Sequence, residues 1–330
     1  MPCLNESAHI IEAINTIRPT NLDYEILVID GGSTDKTREM VQHLTAQDHR
    51  IRLIDNSAKL QSAGVNLGAH LADSRSKVFV RADCHSIYPT NFVEICVTAL
   101  VEKKCASVVV PMHSQGGSCI QRSIAAAQNS HLGNGGAAHR LSSQSRFVSH
   151  GHHAAFDRRI FLELGGYDET MIANEDAEFD YRLTASGHQI YMSAPATIGY
   201  IPRSDLIGLS RQYFYYGSGR ATNCRKHKLL PAPRQILPAL ITTGLGSSLL
   251  LSFLMPYALF FPAAYIIFCL VYGFILGARA RSFCEALAGL AAIVMHISWG
   301  AGFLSEYVKG VPYFVHSISS KPQSLSAKRK

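Results

Sequence analysis

Residues 236–278 contain no Asp, Glu, Lys or Arg, a run of 43 residues. A helix that crosses the hydrocarbon core of a bilayer needs about 20 apolar residues. The run is long enough for two such helices, with Pro256 and Pro262 near the break. A second charge-free run, 286–304, is long enough for one more. The competing reading, a set of helices buried in a large soluble core, fits poorly, because soluble helices of this length carry a charged stripe. The expected organisation is a domain at 1–230 followed by a membrane domain at 231–330, with spans near 236–255, 257–278 and 285–305.

The formal net charge of +7 gathers around these segments. Arg220, Arg225, Lys226, Lys228 and Arg234 precede the first span, and Arg279 and Arg281 follow the second. By the positive-inside tendency both groups face the cytoplasm, so the first two spans form a hairpin. Lys321, Lys328, Arg329 and Lys330 close the chain, and a third full span would carry them to the other side. Either the last segment is re-entrant or interfacial, or the tail does not decide the topology. Basic residues at a span entry suit anionic headgroups, at about 1 kcal/mol each. They lie too close to the membrane, with too few interleaved aromatics, to indicate nucleic acid. The eight cysteines form no Cys-x-x-Cys pair. Their pattern suggests neither a disulfide framework nor a zinc site, and fits a reducing compartment. No signal-peptide pattern opens the chain.

The first two thirds alternates helical and extended patterns. Helices are expected at 8–18, 35–47, 61–72 and 91–103, and strands at 25–30, 51–54, 77–82 and 106–111. That order predicts an α/β fold with a doubly wound, mostly parallel sheet. Its first strand is apparently missing, since the chain starts Met1-Pro2-Cys3-Leu4-Asn5-Glu6; the start is expected to lie inside the domain, or the strand to be dispensable. Beyond 111 the pattern turns irregular, with Gly- and His-rich loops that include His150-Gly151-His152-His153. Helices are expected at 157–164, 174–187 and 206–224, and strands near 189–193 and 197–201.

Three acidic signals stand out. Asp30 and Asp83 each end an apolar run, where ligands of such sheets bind. The third is Asn174-Glu175-Asp176-Ala177-Glu178-Phe179-Asp180, at a helix start. Together they suggest a nucleotide and a metal on one side of a cleft and a base on the other. The bland readings are a strand-end turn for Asp30, a satisfied loop histidine for His85, and a solvated acidic helix start favoured by the helix dipole for 174–180.

Pro2-Cys3-Leu4-Asn5-Glu6, Asp30-Gly31-Gly32-Ser33-Thr34-Asp35, Asp83-x-His85, Gly165-Gly166-Tyr167-Asp168-Glu169 and Glu175-Asp176 occur in that order. The ordered set resembles the family 2 glycosyltransferases of GT-A fold, across residues 1 to about 215. With the apolar tail it is most similar to the succinoglycan-type exopolysaccharide glucosyltransferases. The resemblance implies that Asp30 reads the uracil N3–H, that Gly31 lets the backbone approach, and that Asn5 and Glu6 line the same pocket. It places Asp83 and His85 at the Asp-x-Asp metal motif, with His85 in place of the second Asp. Residues i and i+2 of an extended segment point the same way, and a carboxylate with an imidazole suits Mn²⁺ better than Mg²⁺. Asp176 takes the place of the catalytic base, supported by Glu175; Glu178 and Asp180 are expected to pair with Arg182 or face solvent. Ser62-Ala63-Gly64-Val65-Asn66-Leu67-Gly68 resembles a family helix below the nucleotide, as readily structural as binding. The His150–His153 loop matches the family's acceptor loop, with plain structure an equal reading. Gln212-Tyr213-Phe214-Tyr215-Tyr216 departs from the Gln-x-x-Arg-Trp of processive members, which argues for a single sugar addition. Arg211 or Arg220 would supply positive charge near the diphosphate.

The expected protein is an inverting hexosyltransferase at the bacterial inner membrane, multi-pass, with its catalytic domain in the cytoplasm. It would move a hexose, glucose first, from a UDP-sugar with Mn²⁺ or Mg²⁺ to a polyprenyl-diphosphate-linked saccharide in exopolysaccharide assembly, alongside other such transferases. The alternatives are a polyprenyl-phosphate sugar transferase and a non-catalytic membrane scaffold.

Overall fold

The computed structural model describes residues 1–136, 140 and 144–319, with side chains described as far as Lys309. The basic tail at 321–330 lies outside the described residues. Strands β1 (Pro2–Cys3), β2 (Ile26–Asp30) and β3 (Ile51–Asp55) form a parallel sheet in that order. All of β2 is buried, as a parallel strand covered on both faces must be. Helices α1 (Ile10–Thr16), α2 (Thr37–Gln47) and α3 (Gln61–Leu71) cover it, burying Ile10, Ile14, Val41, Val65 and Ala69. The first strand, expected to be missing, is present in short form. Pro2 pairs with Ile29 and Cys3 with Asp30, and the Ile29 N–H donates to the Met1 carbonyl at 2.8 Å. Pro2 offers no N–H and the strand is two residues long, so no apolar run announced it.

The chain continues through β4 (Val78–Val80), β5 (Ser86–Ile87), α4 (Phe92–Lys103), β6 (Ser107–Val110), β7 (Met112–Ser114), α5 (Cys119–Gln128) and α6 (His131–Asn134). It then forms β8 (Arg146–Val148), β9 (His152–Asp157), α7 (Arg158–Glu163), α8 (Glu175–Ala185), β10 (Ile190–Met192) and β11 (Ile198–Tyr200). One sheet runs β4-β9-β6-β10-β8 and another β5-β11-β7. The α/β class holds, but these two sheets are mixed where a mostly parallel one was expected. β9 runs antiparallel to both β4 and β6, while β10 is parallel to β6. The segment that reads as a His-rich loop therefore supplies a buried inner strand. His152-His153-Ala154-Ala155-Phe156 has no β-branched residue to signal it.

Helix α9 (Leu206–Lys226) leads to α10 (Pro233–Leu251), α11 (Phe260–Ala280), α12 (Phe283–Ala286) and α13 (Ala288–Ser319). Among the described residues two stretches are long and apolar enough to cross a membrane, Pro256–Ala280 and Phe283–Lys309. The expected first span, 236–255, is not one of them: α10 stops at Leu251, ahead of the break at Pro256. α13 lies along α9 in close backbone contact. A Cβ on Gly217 would stand 1.9 Å from the Trp299 carbonyl oxygen, and one on Gly302 would stand 2.0 Å from that of Phe214. No disulfide framework was expected, and the structure has one disulfide among the described residues. Cys119 of α5 and Cys284 of α12 form a disulfide, 165 residues apart in sequence. At that separation spacing carries no information, and the cysteine pattern no longer argues for a reducing compartment. Cys3, Cys84, Cys96, Cys105, Cys224 and Cys269 are buried free thiols.

Candidate active site

The rim at the ends of β1 and β2 is built by hydrogen bonds between two turns. Asn5 takes a left-handed φ of 56°. Its N–H donates to Ser33 Oγ and its Oδ1 accepts from the Thr34 N–H, both at 2.8 Å. The Glu6 N–H donates to Thr37 Oγ1 at 2.8 Å. Beneath them Asp30 is buried. Its carboxylate accepts from the Gly32 and Ser33 N–H groups, from Ser33 Oγ at 2.5 Å and from Arg38 Nη1 at 2.6 Å. Burial alone would push its pKa up, but the Ser33 and Arg38 hydrogen bonds outweigh it and hold the group ionised. Asp30 thus holds the turn of Gly31 and Gly32, and Gly32 needs its φ of +90°.

Asp83 follows β4. Gln61 Nε2 donates to its Oδ1 at 3.0 Å and Arg81 Nε at 3.4 Å. Burial raises the Asp83 pKa, but Arg81, His152 and His85 pull it down to about 2. His85 is half exposed and meets Glu6 Oε1 through Nδ1 at 3.1 Å. Among the described residues no three His, Cys, Asp or Glu side chains cluster to hold a metal ion. What remains is Oδ2 of Asp83 and Nε2 of His85, a pair of donors that fits a divalent ion only if a ligand's oxygens complete the shell.

Arg81 joins this side to the acidic helix. Its buried guanidinium lies 3.4 Å from Asp83, 3.7 Å from Glu175 Oε1 and 3.4 Å from the Tyr167 hydroxyl. Asn174, at φ 62°, caps α8 and sets Glu175 and Asp176 in its first turn. Burial and the neighbouring Asp176 push the Glu175 pKa up. Asp176 goes the other way. Burial opposes ionisation, but His150, His153 and Arg81 outweigh it, and the Ala177 N–H donates to Oδ1 at 2.7 Å. One carboxylate of the pair is kept ionised and its neighbour is eased toward the neutral form. His152 is within electrostatic reach of Arg81, Asp83 and Asp176 together; burial, then Arg81, pushes its pKa down to about 4. Arg220 is half-buried within electrostatic reach of Asp176, with Nη2 3.4 Å from Asn174 Oδ1. Arg211 is exposed.

The sequence expectations for Glu178 and Asp180 meet different fates. Glu178 pairs with Arg182 at 2.7 Å, as expected, and also with Lys226 and His227. Asp180 pairs with neither Arg182 nor solvent. It is buried against His150 Nδ1 at 2.8 Å and His153 Nε2 at 2.7 Å, because β9 slides beneath the helix. His153 Nδ1 meets the Tyr167 hydroxyl at 2.5 Å. Asn66 holds the Gly166–Tyr167 turn with both ends of its amide, at 2.8 Å to the Tyr167 N–H and carbonyl. Gln61 and Arg81 carried no role in the sequence reading; His152 and His153 entered it only within the loop that matches the family's acceptor loop, and Tyr167 only within the Gly-Gly motif. Arg81 alone had a signal, an Arg two residues before Asp83 on an otherwise apolar strand.

Residues 1–165 match the family model described as Glycosyl transferase family 2. The chain is 40% identical over 308 residues to the succinoglycan biosynthesis protein ExoA of Rhizobium meliloti (strain 1021), covering 93% of each chain. It is 23% identical over 240 residues to a dolichyl N-acetyl-alpha-D-glucosaminyl phosphate 3-beta-D-2,3-diacetamido-2,3-dideoxy-beta-D-glucuronosyltransferase of Methanococcus voltae, covering 68% of this chain and 73% of that one. Among solved structures, the mannosyltransferase PcManGT of Pyrobaculum calidifontis, in complex with GDP-Man and Mn²⁺, superposes with a TM-score of 0.57 at 17% identity. That match covers 92% of this chain and 85% of the other.

Proposed function

Because the chain belongs to glycosyltransferase family 2, we propose that it moves a hexose, glucose first among the candidates, from a UDP-sugar to a lipid-linked saccharide in exopolysaccharide assembly. The observation that carries this reading is Arg81, which bridges Asp83 on the donor side to Glu175 beside Asp176. In the proposed reaction an acceptor hydroxyl oxygen attacks the anomeric carbon of the donor. Its proton passes to the Asp176 carboxylate, and the bond to the UDP diphosphate breaks with its electron pair on the departing oxygen. Configuration inverts in that single displacement. The low pKa of Asp176 keeps it ionised, as a base must be. Glu175 supports it from the adjacent position.

On the donor side Asn5, Glu6, Asp30 and Gly31 form the nucleoside rim. The buried carboxylate of Asp30 already accepts from the turn and from Arg38 at all its acceptor sites, so its part is to shape the pocket. Asp83 and His85 are the residues that would hold a divalent ion, Mn²⁺ ahead of Mg²⁺. When bound, such an ion neutralises charge on the leaving diphosphate. Support for a lipid-linked saccharide acceptor comes from the apolar helices and from the name of the Methanococcus relative, which specifies a dolichyl-phosphate-linked sugar. The apolar helices, the basic residues that flank them and the bacterial source of the Rhizobium relative favour the cytoplasmic face of a bacterial inner membrane.

The test is a UDP-release assay across UDP-sugars, with GDP-mannose as comparison, on membranes carrying lipid-linked acceptor, with and without Mn²⁺. UDP release that Asp176→Asn abolishes while donor binding persists supports the assignment. Turnover that survives Asp176→Asn removes Asp176 as the base. A wild type without turnover on any donor favours the scaffold reading.

A further inference from the structure

The two stretches able to cross a membrane by composition are not alike in surroundings. Inside the chain 11% of the first, within Pro256–Ala280, is buried, against 44% of the second, within Phe283–Lys309. The second belongs to α13, whose early residues Ala288, Ala291, Ala292 and Met295 pack on Ile124 and Ala127 of α5 and Leu209 of α9. Farther along, α13 meets α9 through the Gly217 and Gly302 contacts, and Glu306 faces Arg225 of α9 at 3.7 Å. α5 and α9 are parts of the catalytic domain: Asn174, beside Glu175, donates to the Tyr216 carbonyl of α9 at 2.9 Å. A helix pressed along these elements on one face from Ala288 to Glu306 is not encircled by lipid.

The hairpin of α10 and α11 starts and ends at the same domain. Near its start Ala239 packs with Ala221 and Phe303, and the Thr242 hydroxyl lies 3.4 Å from the Ile297 carbonyl. Near its end Gly273 and Gly277 press on Ala286 and Gly289, and Ser282 Oγ accepts from Arg122 of the catalytic domain at 3.0 Å. Tyr265 Oη also meets His296 Nδ1 of α13 at 3.0 Å, so what projects beyond those contacts is 243–264. Its two arms, 243–251 and 256–264, rise about 13 and 15 Å at helical pitch. With the turn at 252–255 the projection reaches roughly 20 Å, against about 30 Å for the hydrocarbon core. No charge occurs in it. At its tip Phe253 and Leu254 are 88% and 80% exposed. Lys228, Arg234, Arg279 and Arg281 sit at its base, where anionic headgroups would meet them.

We infer that the chain enters the bilayer from one side only. The segment 243–264 is a re-entrant wedge in the proximal leaflet, and α13 lies along the catalytic domain without crossing. This rests on the membrane association proposed above, and it replaces the multi-pass arrangement expected from the sequence.

The experiment uses the full chain in spheroplasts and in inverted vesicles, with a membrane-impermeant PEG-maleimide read as a gel shift. Lys228→Cys, at the base, marks the catalytic side. Ser252→Cys, at the tip, is expected to shift from neither side until detergent is added. Gly246→Cys, where the structure leaves open space around the added atoms, repeats the measurement one arm earlier. A C-terminal tag on the wild-type chain is expected to be cleavable from the same side as Lys228→Cys. Labelling of the tip from the far side overturns the inference, as does a tag on the far side. A chain recovered in the soluble fraction instead removes the membrane reading itself.

Discussion

His153 Nε2 lies 2.7 Å from Asp180 Oδ1, and both side chains are buried. The pair continues through the Tyr167 hydroxyl to Arg81 and so to Asp83 and Glu175. A fully buried side chain is thereby linked to the one that joins Asp83 to Glu175. Tyr167→Phe removes the hydroxyl shared by His153 and Arg81, and the expected stability cost is about 1–3 kcal/mol. The enzyme readout is a fall in kcat with donor KM little changed. An equal change in both, or no loss beyond that of folded protein, would show that Tyr167 only packs.

Arg81 makes Asp83 pH-sensitive in a defined direction. The Asp83 pKa is held at about 2, below the ordinary 3.8. A depressed carboxylate adds stability above its unfolded pKa and loses it as pH falls through the folded value. The window is therefore roughly pH 4 down to 2, and the contribution about 2 kcal/mol. Arg81→Ala is expected to move the acid-unfolding midpoint upward, followed by circular dichroism in detergent. A midpoint unchanged from wild type would refute the coupling.

His85 sets the ion preference in the proposed site. His85→Asp restores an all-oxygen pair, and oxygen is what Mg²⁺ demands. The ratio of turnover with Mn²⁺ to turnover with Mg²⁺ is expected to fall in the variant. A ratio that stays put would mean that His85 touches no metal.

Gly166 is a purely conformational prediction. Its φ is +66°, and a Cβ there would stand 2.4 Å from Asn66 Oδ1. Gly166→Ala should cost about 1–3 kcal/mol for the backbone alone. The clash should also release the Asn66 clamp on Tyr167. Thermal unfolding measures the first effect, and loss of kcat beyond the unfolded fraction measures the second.

Asp30, Asp83 and Asp176 were legible because each stands at the end of a strand or the start of a helix, where local pattern speaks. Glu6 and His85 meet, as a shared rim requires. What stayed hidden depends on β9, a strand of Ala, His and Phe that only long-range pairing could identify. Without it there was no reason to connect His153 with Asp180 or to see Tyr167 as more than part of a Gly-Gly turn. Helix α5 was missed for a smaller reason. Its capping box, Ser118 with Gln121, is present in the sequence but follows Gly116-Gly117 in a stretch that reads as loop. Asn66 shows the limit of a motif: the stretch Ser62 to Gly68 reads equally as structure or binding, and the structure gives its Asn66 a turn to hold.

The contacts of Gly217 with Trp299 and of Gly302 with Phe214 leave no room for even a methyl group between the two helices. Helices that touch backbone to backbone do not slide or swing; they form a strut. Under the proposed arrangement, the reaction centre would then stand at one altitude above the lipid headgroups. Acceptors would be sorted by stature, since a reactive hydroxyl carried on too short or too long a stem could not draw level with the cleft.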